Sequence, residues 1–383
     1  MKKIKRIVIF TLFLDMLGMT IMMPAYPNLV EYYHTSYLMI SLGATLFALF
    51  GLFSTPILGA ISDKYGRKIV LLVSVISSLI SYGLIWISGN VWIFLVSRIV
   101  NGAAAGNISS IQSILSDISV DHKERTANFG LFGAVFGAGF IIGPAIGGWL
   151  LGYGVKIPFI VSFFLCLINV LFIIRGLPET NKFLAKAKKI SINIITIFKN
   201  MFVSPEKKYY FVFFIINLAL MVYQMSFVLF LNERFGMSGE KSGYVMALIG
   251  VVMVINQGFL LSKFWLKRFS NKRLIGISIS GMILCYAGAF FAVSAPVIIA
   301  FVAISGIFQG IFRPVFGNII LGNNQDVGLI NGNMAALVNF ASIFGPLVGG
   351  YMIDIHISPF GVVTVLLIIA YMYSKKYLTR SIA

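Results

Sequence analysis

The chain has 383 residues, of which 59% are hydrophobic and 11% are charged, and its mean hydropathy is +0.95. A soluble domain carries roughly 45–50% apolar and about 25% charged residues, so this composition excludes a water-soluble globular protein and indicates an integral membrane protein. The net charge of +18 would suit a nucleic-acid-binding protein, but most basic residues fall in loops on one predicted side of the membrane, which excludes that class.

Twelve apolar segments have the length of about 20 residues that a membrane-spanning helix needs. The connections between most of them are short and leave no room for a soluble domain. The sequence therefore predicts an all-α membrane protein with twelve transmembrane helices in two six-helix pseudo-symmetric halves. The predicted spans are 7–30, 38–61, 69–88, 91–116, 126–151, 158–176, 209–231, 242–262, 274–293, 296–317, 328–352 and 359–374.

Most of the 30 lysines and arginines occur at the two termini and in the loops that follow the even-numbered spans. The opposite side holds only Lys156, Arg234 and Lys241. Because cytoplasmic loops are enriched in basic residues, both termini are expected to be cytoplasmic.

Span 1 begins after a basic stretch that imitates a secretory signal. The apolar run continues past residue 25, contains Asp15 and lacks an early cleavage site, so we interpret it as a transmembrane helix. Asp15 lies about 14 Å along the helix from Arg6, close to the middle of the bilayer. No other acid of the chain is placed so deep, which makes Asp15 the candidate proton carrier, with a permanently ionised structural partner as the alternative.

The loop between spans 2 and 3 reads GAISDKYGRK from Gly59 to Lys68. Gly66 allows a tight turn and Gly59 allows two helices to approach closely. Asp63 and Arg67 are expected to form a charge network at the mouth of the protein. Asp117 at the end of span 4 and Arg125 at the start of span 5 are the expected partners, and a solvated basic loop is the alternative.

Span 4 contains Arg98 in the run RIVNG. A charge within the membrane is costly and usually functional, so we pair Arg98 with Asp15 as the candidate proton-coupling residues. Helical spacing places Ser109 and Gln112 on the same face as Arg98. An arginine bound only to backbone carbonyls is the alternative.

Span 5 carries glycines at regular intervals, G(x8)G(x3)GP(x2)GG. Gly139, Gly143 and Gly147 form a ridge of small residues that allows close backbone contact, and Gly148 follows it. Pro144 removes a backbone hydrogen bond and favours a bend. Such a helix is suited to conformational gating, with generic small-residue packing as the alternative.

The run GPxxGG occurs at Gly143 in span 5 and again at Gly345 in span 11, so the chain is interpreted as two homologous halves. The halves are residues 1–176 and 209–383. The polar linker 177–208 between them contains a predicted amphipathic helix on the inner leaflet. Repeats of this type place a substrate site near the bilayer midplane. The side chains assigned to the cavity are Tyr26, Ser109, Gln112, Asn217, Gln224, Gln257, Gln309 and Arg313.

These motifs resemble those of the major facilitator superfamily. The loop after span 2 is similar to the family's loop motif, the run at Arg98 to its RxxxG motif, and span 5 to the antiporter motif of its drug:proton exporters. Span 1 resembles the first helix of twelve-helix drug exporters, especially the tetracycline-efflux type. Spans 3 and 9 lack the further carboxylates of that type, and the loop after span 8 lacks the Asp-Gly-Arg order, which weakens the case for tetracycline as the substrate.

The resemblance implies a proton-driven exporter of small hydrophobic or amphipathic molecules that works by alternating access. The alternatives are a proton symporter that imports a nutrient or metal chelate, and a non-transporting membrane sensor. The sequence contains no catalytic constellation, metal-ligand spacing or phosphate-binding loop, so neither an enzyme nor a cofactor is expected, and a proton gradient supplies the energy. The expected partners are a small-molecule substrate and the lipid bilayer. A monomer in the cytoplasmic membrane of a bacterium is expected.

Overall fold

A computed structural model of the chain describes residues 2–180, 207–321 and 327–377. Within these ranges the regular structure is helical, and twelve helical segments are long and apolar enough to cross a membrane. The predicted fold class and the number of spans are therefore confirmed. The predicted amphipathic helix of the linker lies outside the described residues.

The first six spans are built from α-helices and one short 3₁₀ turn. Their bounds are Lys2–Ile21, Met23–Ala25 (3₁₀), Tyr26–Tyr32, Tyr37–Tyr65, Arg67–Ile87, Val91–Ala103, Asn107–Asp117, His122–Leu151 and Ile157–Gly176. The second six spans include a ten-residue π-helix. Their bounds are Lys207–Phe235, Gly239–Ile255, Asn256–Trp265 (π), Leu266–Arg268, Asn271–Phe291, Ala295–Leu321, Val327–Asp354 and Pro359–Tyr377.

Several helix starts follow directly from local sequence. The side chain of Asn90 accepts a hydrogen bond from the backbone N–H of Ile93 at 3.1 Å, and Asp121 accepts one from Glu124 at 2.6 Å. These side chains satisfy N–H groups that have no partner within the first helical turn. Gly66, the residue before span 3, has φ +113°, a conformation that favours glycine, which confirms the predicted tight turn.

Three spans depart from a continuous α-helix. Span 1 changes to a 3₁₀ turn at Met23–Ala25, span 4 is interrupted between Ala103 and Asn107, and span 8 becomes a π-helix at Asn256–Trp265. Irregular backbone at membrane depth is tolerated where protein or a water-filled cavity surrounds it, and π-helical turns are frequent at functional sites. These three departures are therefore the positions at which we look for functional side chains.

The described residues form two compact units. Unit 1 is Met1–Thr35, Leu46–Ile192 and Ser238–Ala247, and unit 2 is Ser36–Thr45, Asn193–Met237 and Leu248–Ala383. Span 1 lies at the centre of unit 1, where it packs against spans 5 and 6, and span 7 packs against spans 11 and 12 in unit 2. In spans 1 and 7, 72% of the most apolar 18-residue window is buried inside the protein, whereas the buried share of this window in the other ten spans is 11–50%. The first helix of each predicted half therefore has the same central position in its unit.

Candidate functional site

Asp15 is buried within unit 1, with 7% of its surface exposed. Its Oδ1 atom accepts a hydrogen bond of 2.6 Å from the side-chain amide of Asn107. Asn107 is the first residue of the second helix of span 4, so the interruption of that span places the amide beside the acid. Asn107 was not predicted from the sequence, although Gly102 and Gly106 shortly before it are residues that weaken a helix.

Arg98 is also buried in unit 1, with 3% of its surface exposed. Its guanidinium donates to the Ser81 hydroxyl at 2.7 Å, approaches the sulfur of Met22 at 3.6 Å and lies over the Phe94 ring at 5.8 Å. The Nε atom has no hydrogen-bond partner among the described residues. Neither Asp15 nor Arg98 forms an ion pair among the described residues, and their joint role in proton coupling stays a prediction.

Two tyrosines lie near these side chains. Tyr82 is near both Arg98 and Asp15, and Tyr26 is near Arg98. Asp15, Tyr26, Tyr82, Arg98 and Asn107 form what we call the Asp15 cluster. Of its members, Tyr82 and Asn107 were not predicted from sequence, because counting along one helix does not show which side chains a neighbouring helix faces.

The interruption of span 4 changes the interpretation of Ser109 and Gln112. Their predicted alignment with Arg98 assumed one continuous helix, whereas span 4 consists of two helices that are interrupted between Ala103 and Asn107. The Ser109 hydroxyl donates to the carbonyl of Gly106 at 3.1 Å, as at the start of a helix. The placement of both residues in a substrate cavity stays a prediction.

The polar side chains of the second half have different environments within unit 2. Asn217 is fully buried and donates to the carbonyl of Phe213 on its own helix at 2.8 Å, so it is not open to a cavity in this structure. Gln309 donates to the Tyr286 hydroxyl at 3.0 Å and to the Ser305 hydroxyl at 3.1 Å. Gln224 and Gln257 are exposed in the structure and remain candidates for substrate contact.

Arg313 lies in a cleft of unit 2 with a volume of about 400 Å³. The other residues that line the cleft come from spans 7 and 11. They are Phe213, Met334, Ala335, Val338 and Asn339. Arg313 itself comes from span 10 and is exposed to the cleft. Three spans of unit 2 therefore surround one cationic side chain.

The predicted charge network at the loop between spans 2 and 3 is present. The Arg67 guanidinium contacts Asp63 at 2.5 Å and Asp117 at 3.1 Å. Arg125 does not join it and lies over the Phe129 ring at 5.9 Å. The expected close helix approach at Gly59 is wrong, because a methyl group at that position would meet nothing within 4 Å.

Glu179 is a member of this network that sequence analysis missed. Its carboxylate accepts hydrogen bonds from the backbone N–H groups of Arg67 at 2.9 Å and Lys68 at 3.1 Å. An anion at a helix N-terminus is stabilised by the free N–H groups and the helix dipole. The segment after span 6 is thus joined to the start of span 3 and, through Arg67, to the end of span 4.

The three-glycine ridge of span 5 packs against span 1. A side chain at Gly139, Gly143 or Gly147 would collide with Met16, Thr20 or the backbone of Ile21 respectively. The Thr20 hydroxyl also donates to the carbonyl of Gly139 at 2.9 Å. The predicted close backbone contact is confirmed, and it joins span 5 to the helix that carries Asp15.

Gly148 faces a different neighbour. A side chain there would collide with the backbone of Glu240 and Gly243 at the start of span 8, which belongs to the same unit. The helix of span 5 continues through Pro144 without interruption from His122 to Leu151. The last two glycines of the motif thus face two different spans.

The GPxxGG run of span 11 has equivalent contacts in unit 2. Gly345 and Gly349 pack against span 7, and Gly350 packs against Leu38 and Ser41 at the start of span 2. Asp354, near the end of the same helix, accepts hydrogen bonds from the backbone N–H groups of Tyr37 and Leu38, which begin span 2. The same six-residue motif therefore makes the same type of contact in both units, which agrees with an internal repeat.

The comparison with protein families gives one match that covers most of the chain. A family model described as Major Facilitator Superfamily matches residues 8–319 and 258–381. Its two ranges include the Asp15 cluster, the Arg67 network and both glycine motifs.

Curated relatives match over nearly the whole length. The chain is 28% identical over 402 residues to "Tetracycline resistance protein, class H" of Pasteurella multocida, with 98% of each chain covered. It is 26% identical over 370 residues to "Multidrug resistance protein 2" of Bacillus subtilis, covering 93% of this chain and 90% of the relative. Among solved structures, nucleoside transporter NupG superposes with a TM-score of 0.73 and 17% identity over 98% of each chain, which shows a shared fold.

Proposed function

This chain belongs to the Major Facilitator Superfamily, and from that membership we propose that it is a proton-coupled exporter of small hydrophobic or amphipathic molecules. It is a multi-pass membrane transporter and not an enzyme. In the proposed cycle it works by alternating access. A proton enters from the outside, the substrate leaves the cytoplasm, and the two compete for the Asp15 cluster directly or through the conformation.

The observation that carries the proposal is the placement of Asp15. The acid is buried within a membrane-spanning helix, it has no cationic partner within ion-pair distance among the described residues, and an amide is its hydrogen-bond donor. An isolated carboxylate is strongly disfavoured in such surroundings, which support a change between the neutral and ionised forms as a step of the cycle. This combination favours a proton carrier over a permanently ionised structural group.

Arg98 supports the proposal because its charge is only partly compensated. A hydroxyl, a thioether and an aromatic face surround the guanidinium, and Tyr26 and Tyr82 lie nearby. Insertion scales put an arginine at mid-membrane at a cost of roughly 2.5–3.5 kcal/mol. An ionised Asp15 that moves closer to Arg98 in another conformation would offset this cost, so the protonation of Asp15 would shift the balance between conformations.

The direction of transport rests on two observations. The curated relatives are named as tetracycline and multidrug resistance proteins, and the glycine pattern of span 5 packs against the helix that carries Asp15. Export out of the cytoplasm is therefore the proposed direction. The enrichment of basic residues in the loops on one side supports the proposal that both termini are cytoplasmic, in the cytoplasmic membrane of a bacterium.

Asp15→Asn tests the role of the acid, because it keeps the shape of the side chain and removes its titration. The assay is growth of an efflux-deficient bacterial host on a broad panel of toxic compounds at matched membrane expression. Glu31→Gln is the matched control, since Glu31 is an exposed acid at the other end of span 1. We expect resistance with the intact protein and with Glu31→Gln, and its loss with Asp15→Asn.

Transport by everted membrane vesicles separates the proposed antiport from symport. We expect uptake of a compound from the panel when the vesicle interior is acid, together with release of protons from the interior. Resistance that survives in Asp15→Asn would remove Asp15 from the mechanism, and accumulation driven by the opposite gradient would establish import.

A further inference from the structure

The cleft around Arg313 contains a cation whose role the proton-coupling cluster does not explain. Arg313 makes no hydrogen bond, ion pair or aromatic contact with another described residue. Its guanidinium faces the cleft, whose apolar lining comes mainly from Phe213, Met334 and Val338. The amide of Asn339 is a second polar group in the same cleft and also has no hydrogen bond among the described residues. An arginine in this position presents a planar set of donors to whatever occupies the cleft.

The acids that the structure describes in unit 2 lie too far away to neutralise this charge. Phe213, which lines the cleft, is about 30 Å along span 7 from Glu233, and Asn339 is about 22 Å along span 11 from Asp354. Both acids also have partners of their own. Glu233 bonds to His356 at 2.6 Å, and Asp354 accepts two backbone N–H groups.

The contrast with Arg98 shows why the two arginines within membrane-spanning helices have different roles. Arg98 is enclosed, with 3% of its surface exposed, and its guanidinium is in contact with Ser81, Met22 and Phe94. Arg313 has no such contacts and is accessible. Arg98 is therefore fixed by protein groups, whereas Arg313 is free to bind a ligand from the cleft.

We propose that Arg313 is an anion-binding residue of the substrate site, and that the preferred substrates are amphipathic organic anions. Arg313, with Asn339, would bind a carboxylate, sulfonate or phenolate, while Phe213, Met334 and Val338 contact an apolar body. A guanidinium matches the geometry of such planar or tetrahedral oxyanions, and a methionine-lined surface adapts to different apolar shapes. The inference rests on the proposed export function for its physiological meaning, and it names the substrate class.

The test compares two probes that share an apolar body and differ in charge. Anilinonaphthalene sulfonate is an anion, and N-phenylnaphthylamine is its uncharged counterpart. Binding of each probe to the purified full-length protein in lipid nanodiscs is measured by equilibrium dialysis, with empty nanodiscs subtracted. We expect Arg313→Gln to weaken binding of the anion at least tenfold and binding of the neutral probe less than threefold.

Two further variants make the test specific. Arg313→Lys keeps the charge and should retain part of the preference for the anion. Arg234→Gln removes a cation that lies over Phe230, about 30 Å along span 7 from Phe213, and should leave the preference unchanged. An equal change for both probes in Arg313→Gln, or no change for either, would overturn the proposal.

Asp326 follows span 10 in the sequence and lies outside the described residues. A tenfold rise in affinity for the anion in Asp326→Asn would show that this acid already neutralises Arg313, which also would overturn the proposal. Binding requires no proton gradient, so this test is independent of the growth assay. If the protein prefers the anionic probe but gives no resistance in cells, the anion site is retained and drug export is rejected. If it gives resistance but shows no preference for the anion, drug export is retained and the anion site is rejected.

Discussion

At the scale of single residues, the chain places few charges in the membrane, and two of its arginines have no acid beside them among the residues that the structure describes. Asp15 and Arg98 could be selected from sequence because charges are costly in a bilayer. Their partners could not, since counting along a helix gives depth but not the direction in which neighbouring helices face. Asn107 and Tyr82 became visible only when spans 1, 3 and 4 were placed together.

The Arg67 network allows a prediction that distinguishes two possible partners of Asp117. Asp117 contacts Arg67 at 3.1 Å, whereas Arg125 lies over Phe129. We expect Arg67→Asp and Asp117→Arg each to reduce transport, and the double variant to recover part of it. Side chains in one network typically couple by about 0.5–3 kcal/mol, and the exposure of Asp63 places this network at the lower end.

Transport is measured in vesicles that contain the intact protein, either single variant or the double variant. The four rates together give the coupling energy between residues 67 and 117. Recovery should be incomplete, because Asp63 and Glu179 also surround position 67 and repel an introduced carboxylate. The control is the exchange of Asp117 with Arg125, for which no recovery is expected. Equal recovery in both exchanges would contradict the pairing seen in the structure.

At the scale of helices, the glycine motif acts through a defined contact. Gly147 meets the backbone of Ile21, and Gly143 meets Thr20, so span 5 lies directly against span 1. The spacing of four residues predicted this ridge. The spacing did not predict its partner, and it did not predict that Gly148 contacts span 8 and Gly350 contacts span 2.

A substitution at Gly147 should therefore destabilise the protein more than one elsewhere in the same motif. Gly147→Ala introduces a methyl group against backbone atoms that cannot rotate away, and overpacking of this type costs about 1–3 kcal/mol. Gly130→Ala is the matched control, because nothing lies within 4 Å of the added methyl group. Thermal unfolding in detergent should show a lower midpoint for Gly147→Ala alone. Equal midpoints for the two variants would show that the ridge is not a tight contact.

The interruptions of spans 1, 4 and 8 could not be predicted from hydropathy. Apolar content predicted twelve continuous spans, and their number is confirmed. The breaks occur at or beside Pro24, Gly106 and Gly258. Each of these residues weakens a helix, but other prolines, including Pro144, lie within uninterrupted helices. Local sequence identifies where a break is allowed, and tertiary contacts decide where it occurs.

At the scale of the whole molecule, composition and motif spacing were sufficient for the fold class and the family. The substrate class was not available from them, because it depends on which side chains remain free after the helices pack. Asn217 illustrates this, since it was assigned to a cavity and is fully buried. Arg313 is the opposite case, because it is available to bind a ligand. No acid lies near it among the described residues of unit 2.

The orientation of the chain in the membrane is the remaining prediction at this scale, and it follows from the distribution of basic residues. Labelling of introduced cysteines checks it. Cys166 and Cys285, both buried and free, are first replaced by alanine. Cysteines are then placed at Asn90, in the loop between spans 3 and 4, and at Val120, in the loop between spans 4 and 5, both of which are exposed.

A membrane-impermeant maleimide should label Asn90→Cys in intact cells, and should label Val120→Cys only after the cells are permeabilised. The two positions lie at opposite ends of span 4, so each serves as the control for the other. The reverse labelling pattern would place both termini outside. It would then require the Arg67 network to close the outer mouth, and the direction of the proposed proton-driven export would have to be reversed with it.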